Sequence, residues 1–340
     1  MSLKLSFILP CYNVERYVVD CLDSIYAQDM SEDEYEVICV NDCSTDGTRP
    51  ILERLAQKHS NLVLIDHESN LSAGEARNTG IRLAKGEYIW FVDPDDMINP
   101  SCPPFLHGKA KDKNLDILLF NHEMVDETKR FLRVIKTFQD SELCDGQNYV
   151  VNYFPGHFSQ LCIVWRCLFR TEFLRDFNLS FPAMNKAEDV SFLWKAILQA
   201  ERVASVGEIG YTYRINPYSI GKKTLNASVV FSGRVLFAYE ICNLINCKDL
   251  TMNPQIRQDM NNVLKWCFDS SIEALRKMSL EERKHYYDEI ENNRSVIMTI
   301  KPYMNWKQKA VYSVWCGERL WLLKVDFLDC WKKKGSLGLC

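Results

Sequence analysis

Residues 87–96 read Glu87-Tyr88-Ile89-Trp90-Phe91-Val92-Asp93-Pro94-Asp95-Asp96. The run of apolar residues, most of them aromatic or β-branched, predicts a buried strand. The strand ends in three carboxylates beside a proline, which cannot donate a hydrogen bond to a neighbouring strand. Because unpartnered buried carboxylates are very costly, such a cluster indicates a bound divalent cation. Ligands of open α/β sheets also bind at this end of the strands.

The first 100 residues alternate between strand and helix patterns. Strands are predicted at 3–9, 37–40, 62–65 and 88–92, and helical patterns lie between them, with Asn13 as the N-cap of the first helix. This β-α-β-α-β-α-β order predicts an α/β fold with a mostly parallel central sheet and helices on both faces.

The pattern becomes mixed after residue 99. Strands are predicted at 117–120, 203–206 and 211–213, a hairpin within 121–140, and a helix at 189–200. From about residue 226, long amphipathic stretches at 229–245 and 261–278 predict helices. We therefore place a domain boundary at 215–225, with an α/β domain at 1–220 and a mainly α-helical C-terminal region at 221–340.

The charge distribution distinguishes the C-terminal tail from the rest of the chain. The 340 residues carry a formal net charge of −4, and the segment 301–340 holds eight Lys or Arg and three Asp or Glu. The basic tail predicts an anionic partner such as a membrane surface, whereas no nucleic acid partner is expected. Residues 306–331 mix Trp, Leu and Val with Lys, which fits either an interfacial helix or a helix packed on the α/β domain.

The cysteines and the apolar segments predict a location. The 14 cysteines include no CxxC pair, which is typical of reduced thiols in a cytosolic protein. We find no signal-peptide pattern and no run of about 20 apolar residues that could span a membrane. We therefore expect a cytoplasmic protein, with peripheral contact to the inner membrane face through the tail as a further expectation.

Five segments in a fixed order resemble the family 2 glycosyltransferases. They are 7–13 (Phe-Ile-Leu-Pro-Cys-Tyr-Asn), 40–48 (Val-Asn-Asp-Cys-Ser-Thr-Asp-Gly-Thr), 76–80 (Ala-Arg-Asn-Thr-Gly), 84–96, and 188–194 (Glu-Asp-Val-Ser-Phe-Leu-Trp). Members of this family have the GT-A fold, use nucleotide sugars and invert the anomeric centre. The resemblance covers roughly residues 3–215 and implies a nucleotide-sugar side at about 1–100 and an acceptor side at about 101–220.

The resemblance implies a nucleotide site formed by Pro10, Tyr12, Asn13, Asp42, Arg77 and Asp93. In this interpretation, Tyr12 flanks the base, Asp42 accepts a hydrogen bond from a ring N–H, and Arg77 binds a diphosphate or a carboxylate cluster with its planar fork. The alternatives are an ordinary strand-to-helix turn, a helix-capping Asp42, and a surface salt bridge at Arg77.

The three aspartates form the family's DxD-type element. The resemblance implies that Asp95 binds Mn²⁺ or Mg²⁺, that Asp93 binds the ribose and shares the metal, and that Asp96 binds the metal or orients its neighbours. The cation would neutralise the leaving diphosphate as a Lewis acid. The alternative is an acidic turn on the surface.

The remaining site residues follow from the Glu-Asp motif and from a segment that resembles the border of the acceptor pocket. Asp189 is the expected general base beside Glu188, because a single in-line displacement needs one group to take the acceptor proton. The alternative is a helix-capping acid. Trp165 and Arg166 are expected at the acceptor pocket, with a core position equally open for Trp165.

These features favour a metal-assisted inverting glycosyltransferase of the kind that builds bacterial surface polysaccharides. It would transfer a sugar from a nucleoside diphosphate, with UDP as the expected carrier, to a hydroxyl of a glycan or lipid-linked acceptor. A sugar-phosphate nucleotidyltransferase is the second hypothesis, although residues 10–13 offer no Gly-rich basic loop. A non-catalytic sugar-binding protein on the same fold is the third. A dehydrogenase is disfavoured, since no GxGxxG follows the first strand.

Overall fold

A computed structural model of the chain describes residues 3–155, 161–183, 187–216, 227–247, 251–279, 294–305 and 308. The chain divides into two compact units, Met1–Lys223 and Thr224–Cys340. All the predicted site residues belong to the first unit. The division of that unit into a nucleotide-sugar side and an acceptor side stays a prediction.

The alternation in the first 100 residues forms the parallel part of a sheet. In chain order the elements are β1 (Leu5–Cys11), α1 (Val18–Tyr26), β2 (Tyr35–Asn41), α2 (Thr48–Lys58), β3 (Leu62–Asp66), α3 (Ala73–Leu83) and β4 (Tyr88–Phe91). The four strands are parallel and lie in the order β3-β2-β1-β4. Strands β1, β2 and β4 are buried along their whole length, as their mainly apolar sequences require. The predicted strands of this region are confirmed.

The later strands make the sheet mixed. The elements are β5 (Met97–Ile98), α4 (Cys102–Asp112), β6 (Ile117–Val125), β7 (Phe131–Ile135), α5 (Gly146–Tyr153), β8 (Cys167–Arg170), α6 (Thr171–Asp176), α7 (Glu188–Gln199) and β9 (Val203–Arg214). Strand β8 lies antiparallel between β4 and β6, and β9 runs parallel to β6. Strand β5 pairs antiparallel with β9, and β7 with β6, which confirms the predicted hairpin.

Strand β9 unites the two strand signals at 203–206 and 211–213. Its pairing with β6 shifts register twice between Leu119 and His122, where the chain passes the exposed Gly207 and Glu208. This irregularity interrupts the apolar pattern, so the sequence shows two short signals instead of one long strand. The continuous strand carries its last residues to the acidic stretch after β4.

The first helix begins later than predicted. Helix α1 starts at Val18, and its N-cap position, Tyr17, makes no side-chain cap. Asn13 instead has a left-handed backbone (φ 53°), which asparagine tolerates well. Its Oδ1 accepts a hydrogen bond from the Thr45 N–H at 2.8 Å. The prediction of Asn13 as a helix cap is wrong, because the residue joins two neighbouring loops.

Helices cover both faces of the parallel strands. Phe7 belongs to a buried cluster with Leu22 of α1 on one face. Ile8 points to the opposite face, where a Cβ on Gly80 of α3 would lie 2.3 Å from Ile8 Cγ2. Glycine therefore permits a close approach of α3 to β1, about one helical turn after Arg77.

We expect Gly80→Ala to destabilise the first unit by about 1–3 kcal/mol, because the added methyl group forces Ile8 or α3 to shift. Gly108→Ala is the matched control: Gly108 lies within α4, and a methyl group there would meet no heavy atom within 4 Å. The control should be neutral or stabilising by up to about 1 kcal/mol. Denaturant unfolding measures both variants, and equal stability would contradict the close packing of α3 on β1.

The second unit is helical in its described part. Its helices are α8 (Ala227–Asn246), α9 (Pro254–Lys277) and α10 (Arg294–Ile300). Asn253 caps α9 by accepting a hydrogen bond from the Gln255 N–H, and Pro254 occupies the first turn. Helices are therefore confirmed at both stretches, 229–245 and 261–278, for which the sequence predicted them. The predicted C-terminal helix at 306–331 lies outside the described residues, Gln308 apart.

None of the helices in the described ranges has the length and apolar character needed to cross a lipid bilayer.

Candidate active site

The acidic stretch turns sharply after β4 and is held there by β9. The Asp96 N–H donates to the Asp93 carbonyl at 3.0 Å and closes the turn. The Asp93 N–H donates to the Tyr211 hydroxyl at 3.1 Å, and that hydroxyl donates to Asp96 Oδ2 at 2.9 Å. One tyrosine therefore fixes both the backbone and a side chain of the turn.

Asp96 is a structural residue of this turn. It is 1% exposed, and its Oδ1 accepts the Arg214 N–H at 2.8 Å while Oδ2 accepts from Tyr211. Burial, followed by the charges of Asp95 and Asp93, raises the pKa of Asp96 well above its usual range. This environment favours the prediction that Asp96 orients its neighbours over the prediction that it binds a metal, because both of its oxygens are engaged inside the protein.

Asp93 and Asp95 lie nearer the surface. The Asp93 side chain is 27% exposed, and Asp95 is half-buried. Asp95 Oδ2 accepts a hydrogen bond from Asn216 Nδ2 at 3.1 Å. Burial and the Asp93 charge raise the pKa of Asp95, although the Asn216 hydrogen bond acts in the opposite direction.

These two carboxylates fit an ion that takes its other ligands from a substrate. Over the ranges that the structure describes, no three His, Cys, Asp or Glu side chains come together as a metal site. Of the three predicted aspartates, Asp96 has both oxygens engaged within the protein, which leaves Asp93 and Asp95 as the candidates. Mg²⁺ is usually held by one or two carboxylates together with phosphate oxygens and water. Arg77 engages Asp93 Oδ1 and Asn216 engages Asp95 Oδ2, so the second oxygen of each carboxylate is the one suited to face an ion.

Arg77 connects the acidic stretch to the start of α7. Its Nη2 donates to Asp93 Oδ1 at 2.7 Å, and its Nη1 donates to Asp189 Oδ1 at 2.8 Å and to Glu188 Oε1 at 3.4 Å. The guanidinium lies 5.3 Å from the centroid of the Phe181 ring, and the side chain is only 4% exposed. Burial alone would lower the pKa of Arg77, but the three carboxylates raise it. The alternative of a surface salt bridge is therefore wrong.

Asp189 occupies the first turn of α7. Its side chain is 24% exposed. Burial raises the pKa of Asp189 to about 7, against the opposing effect of the Arg77 charge, and Glu188 adds to the rise. A carboxyl group with a pKa near the working pH is suited to take a proton. The N-cap position is Ala187, which makes no side-chain cap, so the alternative of Asp189 as the capping residue is wrong.

Asp42 holds the loop before α3. It is 2% exposed, and its oxygens accept the N–H groups of Leu71 and Ser72, both at 2.9 Å. His67 Nδ1 lies 2.8 Å from Asp42 Oδ1. These contacts correct the prediction that Asp42 binds a base, because its carboxylate is buried and already engaged. The sequence analysis also allowed Asp42 to cap the following helix, α2. Asp42 does accept hydrogen bonds from backbone N–H groups, but these groups lie in the loop before α3.

The loop after β1 presents one aromatic ring. Pro10 is buried within β1, whereas Tyr12 is 41% exposed. The Asn13 N–H donates to Ser44 Oγ at 3.2 Å, and the Asn13 side chain accepts from the Thr45 N–H. These two hydrogen bonds anchor the loop. The exposed Tyr12 ring is thus available for stacking, and its contact with a base stays a prediction.

Trp165 and Arg166 lie in the interior. The Trp165 ring is 5% exposed and stacks on Tyr211 with centroids 4.2 Å apart. Arg166 is 4% exposed, donates to Thr137 Oγ1 at 2.9 Å and lies over the Phe138 ring. Their burial corrects the prediction that they contact an acceptor and confirms the core position for Trp165.

Sequence reasoning missed three residues that shape this region. Tyr211 and Asn216 bind carboxylates that lie 115 and 121 residues earlier in the chain. His67 bridges Asp42 to Thr79 Oγ1, which lies 2.9 Å from its Nε2. The strand signal around Tyr211 was visible in the sequence, but no local pattern identifies partners at such separations.

Comparison with known proteins identifies relatives of the first unit. The family described as "Glycosyl transferase family 2" matches residues 6–176, half of the chain. The poly(ribitol-phosphate) beta-glucosyltransferase of Bacillus spizizenii strain W23 is 32% identical over 216 residues, which cover 63% of this chain and 32% of that relative. The chain therefore spans about a third of the length of this relative.

Solved structures share the fold. Residues 1–349 of Staphylococcus aureus TarS, crystallised in complex with UDP-GlcNAc, match with a TM-score of 0.64 at 24% identity, over 88% of this chain and 83% of that one. The mannosyltransferase PcManGT from Pyrobaculum calidifontis, in complex with GDP-Man and Mn²⁺, matches with a TM-score of 0.52 at 18% identity, over 95% and 89% of the two chains. These likenesses confirm the predicted GT-A fold.

Proposed function

The chain belongs to glycosyltransferase family 2, and from this premise we propose that it transfers a sugar from UDP to an acceptor hydroxyl with inversion at the anomeric carbon. The Arg77 cluster carries the proposal, because it joins Asp93 of the acidic stretch to Asp189 of α7. A single displacement needs a group that handles the departing diphosphate and a base that takes the incoming proton within one site.

Asp189 is the general base of the proposed reaction. Arg77 engages its Oδ1, so Oδ2 would accept the proton of the acceptor hydroxyl. As that hydroxyl oxygen bonds to the anomeric carbon, the bond between this carbon and the diphosphate oxygen breaks, and UDP leaves with the electron pair. Attack from the face opposite the leaving group accounts for inversion. Glu188 adds negative charge beside Asp189 and helps to raise its pKa.

Asp95 and Asp93 would hold Mg²⁺ or Mn²⁺. When bound, the ion neutralises charge on the leaving diphosphate as a Lewis acid. Two observations support this role: both residues lie nearer the surface than Asp96, and PcManGT was solved with GDP-Man and Mn²⁺. Asp93 would also contact the ribose, and Tyr12 would stack on the base above the loop formed by Pro10 and Asn13.

UDP is the proposed nucleotide because the TarS structure of the same fold contains UDP-GlcNAc. For the acceptor we propose a hydroxyl of a glycan or of a lipid-linked polymer used in bacterial surface polysaccharide synthesis. The name of the Bacillus relative, a poly(ribitol-phosphate) glucosyltransferase, supports an acceptor of this kind. The proposed peripheral contact with a membrane depends on the basic tail, of which the structure describes only residues 301–305 and 308.

A screen of UDP sugars for Mn²⁺-dependent hydrolysis tests the function. We expect turnover with at least one UDP sugar, and a loss on the order of 10²–10³-fold in Asp95→Asn, because the variant stabilises the departing charge less well. Asp112→Asn is the control, since Asp112 is exposed at the end of α4 and should leave hydrolysis unchanged.

A synthesis assay and a sugar-binding assay separate the competing functions. Formation of a nucleotide sugar from a sugar phosphate and a nucleoside triphosphate would favour a nucleotidyltransferase. Sugar binding without turnover, unaffected by Asp95→Asn, would favour a non-catalytic protein. Either result would overturn the proposed transfer.

A further inference from the structure

Asn216 directly follows the end of β9 and contacts the acidic stretch. It is 7% exposed, and its Nδ2 donates to Asp95 Oδ2 at 3.1 Å. The residue lies outside all five segments that resemble the family, and its partner lies 121 residues earlier in the chain. The contact therefore exists only because β9 runs through the sheet to the end of β4.

Tyr17 contacts the oxygen of the Asn216 amide, while the nitrogen faces Asp95. The buried Tyr17 hydroxyl lies 3.2 Å from Asn216 Oδ1 and 3.3 Å from Glu127 Oε1, so its single proton is shared between these two acceptors. The Arg214 guanidinium lies over the Tyr17 ring, with its carbon 5.2 Å from the ring centroid. The backbone N–H of Arg214 donates to Asp96. Asn216 is thus held by the same end of β9 that fixes the turn.

An amide at this position has a chemical advantage over a charged donor. It holds one oxygen of Asp95 by a hydrogen bond and adds no positive charge that would repel a cation. The nearby Arg214 guanidinium is paired with Asp20, with Nη2 and Oδ2 at 3.0 Å. Asp95 Oδ2 is therefore held by a neutral group, although the Asp95 backbone N–H and the Arg214 charge also act on the carboxylate. In this arrangement Oδ1 is the oxygen that would face an ion.

We propose that Asn216 is a positioning residue that orients Asp95 Oδ1 towards the cation of the nucleotide-sugar donor. The inference rests on the proposed function and adds to it a residue that acts through Asp95. Hydrogen-bond partners of this kind commonly change metal affinity by about 10–100-fold when they are removed.

Electron paramagnetic resonance of Mn²⁺ in the presence of UDP measures the binding step without turnover. We expect Asn216→Ala to weaken Mn²⁺ binding by about 10–100-fold. Tyr17→Phe should weaken it in the same direction and by less, because it removes one contact of the amide oxygen. In hydrolysis assays, excess Mn²⁺ should restore much of kcat in Asn216→Ala, whereas a general loss of structure would not be rescued in this way.

Asn148→Ala is the matched control. Asn148 also donates from its side-chain amide to an aspartate, Asp145, but at the exposed start of α5. Its removal should leave Mn²⁺ affinity unchanged.

Two outcomes distinguish this inference from the proposed function. Wild-type Mn²⁺ affinity in Asn216→Ala, together with weakened binding in Asp95→Asn, would overturn the positioning role alone. A wild-type protein that binds no Mn²⁺ with UDP would overturn both. If Asn216→Ala does not fold, unchanged affinity in folded Tyr17→Phe overturns the positioning role.

Discussion

Asp189→Asn is expected to lower kcat/KM by about 10²–10⁴-fold, the contribution usual for a positioned general base. The asparagine has nearly the same shape, and its carbonyl oxygen can still accept the Arg77 hydrogen bond that Asp189 Oδ1 accepts. It cannot take a proton from the acceptor hydroxyl. Glycosyl transfer with a matched donor and acceptor, measured at saturating Mn²⁺, tests this expectation.

The pH profile of the wild-type protein should report the same group. Because the pKa of Asp189 is raised to about 7, the residue is protonated below that pH and cannot act as a base. The value of kcat/KM, which reflects the free enzyme, should therefore fall about tenfold per pH unit below pH 7 and level off above it.

Glu188→Gln is the comparison variant, since Glu188 contributes charge and not proton transfer. It should retain most of the activity and move the acidic limb to lower pH, because removal of the Glu188 charge lowers the pKa of Asp189. A flat profile for wild type, or an Asp189→Asn variant with wild-type kcat/KM, would eliminate Asp189 as the base.

Among the substitutions in α3 compared here, Arg77→Met is expected to lower the free energy of unfolding of the first unit the most. The buried guanidinium compensates carboxylates on two segments that are far apart in the chain. Breaking a buried ion pair by removing one partner typically costs 3–5 kcal/mol. The carboxylates here are 17–27% exposed, so we expect the low end, about 3 kcal/mol. The midpoint temperature of thermal unfolding should fall by roughly 6–12 °C for a unit of this size.

Arg82→Met provides the control on the same helix. The Arg82 side chain is 60% exposed and pairs with Glu75 at 3.0 Å, so its removal should cost less than about 1 kcal/mol. Arg77→Lys should lie between the two, because it keeps the charge but loses the planar fork that contacts Asp93 and Asp189 together. Equal unfolding temperatures for Arg77→Met and Arg82→Met would contradict the clustering role of Arg77.

Local patterns were sufficient where the structure depends on local chemistry. The apolar run at 88–92 predicted β4, and helical spacing in 189–200 predicted α7, which spans Glu188–Gln199. The parallel part of the sheet was predicted from the alternation of strand-like and helix-like apolar patterns in the first 100 residues. Asn13 and β9 were less predictable, because a left-handed residue and a strand with shifted register interrupt these regular patterns.

The roles of polar residues were harder to predict. Asp42, Asp96, Trp165 and Arg166 were expected to face ligands, and all four are at most 5% exposed. The residue type indicated which chemistry each could perform, but burial decided whether it could reach a substrate. That burial arises from elements that pack against these residues from distant parts of the chain.

The sequence by itself determined the elements of the first unit, the family, and the position of the acidic stretch at the end of a buried strand, since apolar period and short motifs are local properties. Only the tertiary structure decided that Arg77 pairs with Asp189, 112 residues away, and that Asp95 pairs with Asn216, 121 residues away. The physical reason is that the charge state and exposure of a carboxylate depend on which groups the fold brings within hydrogen-bond distance, and no local pattern specifies those groups.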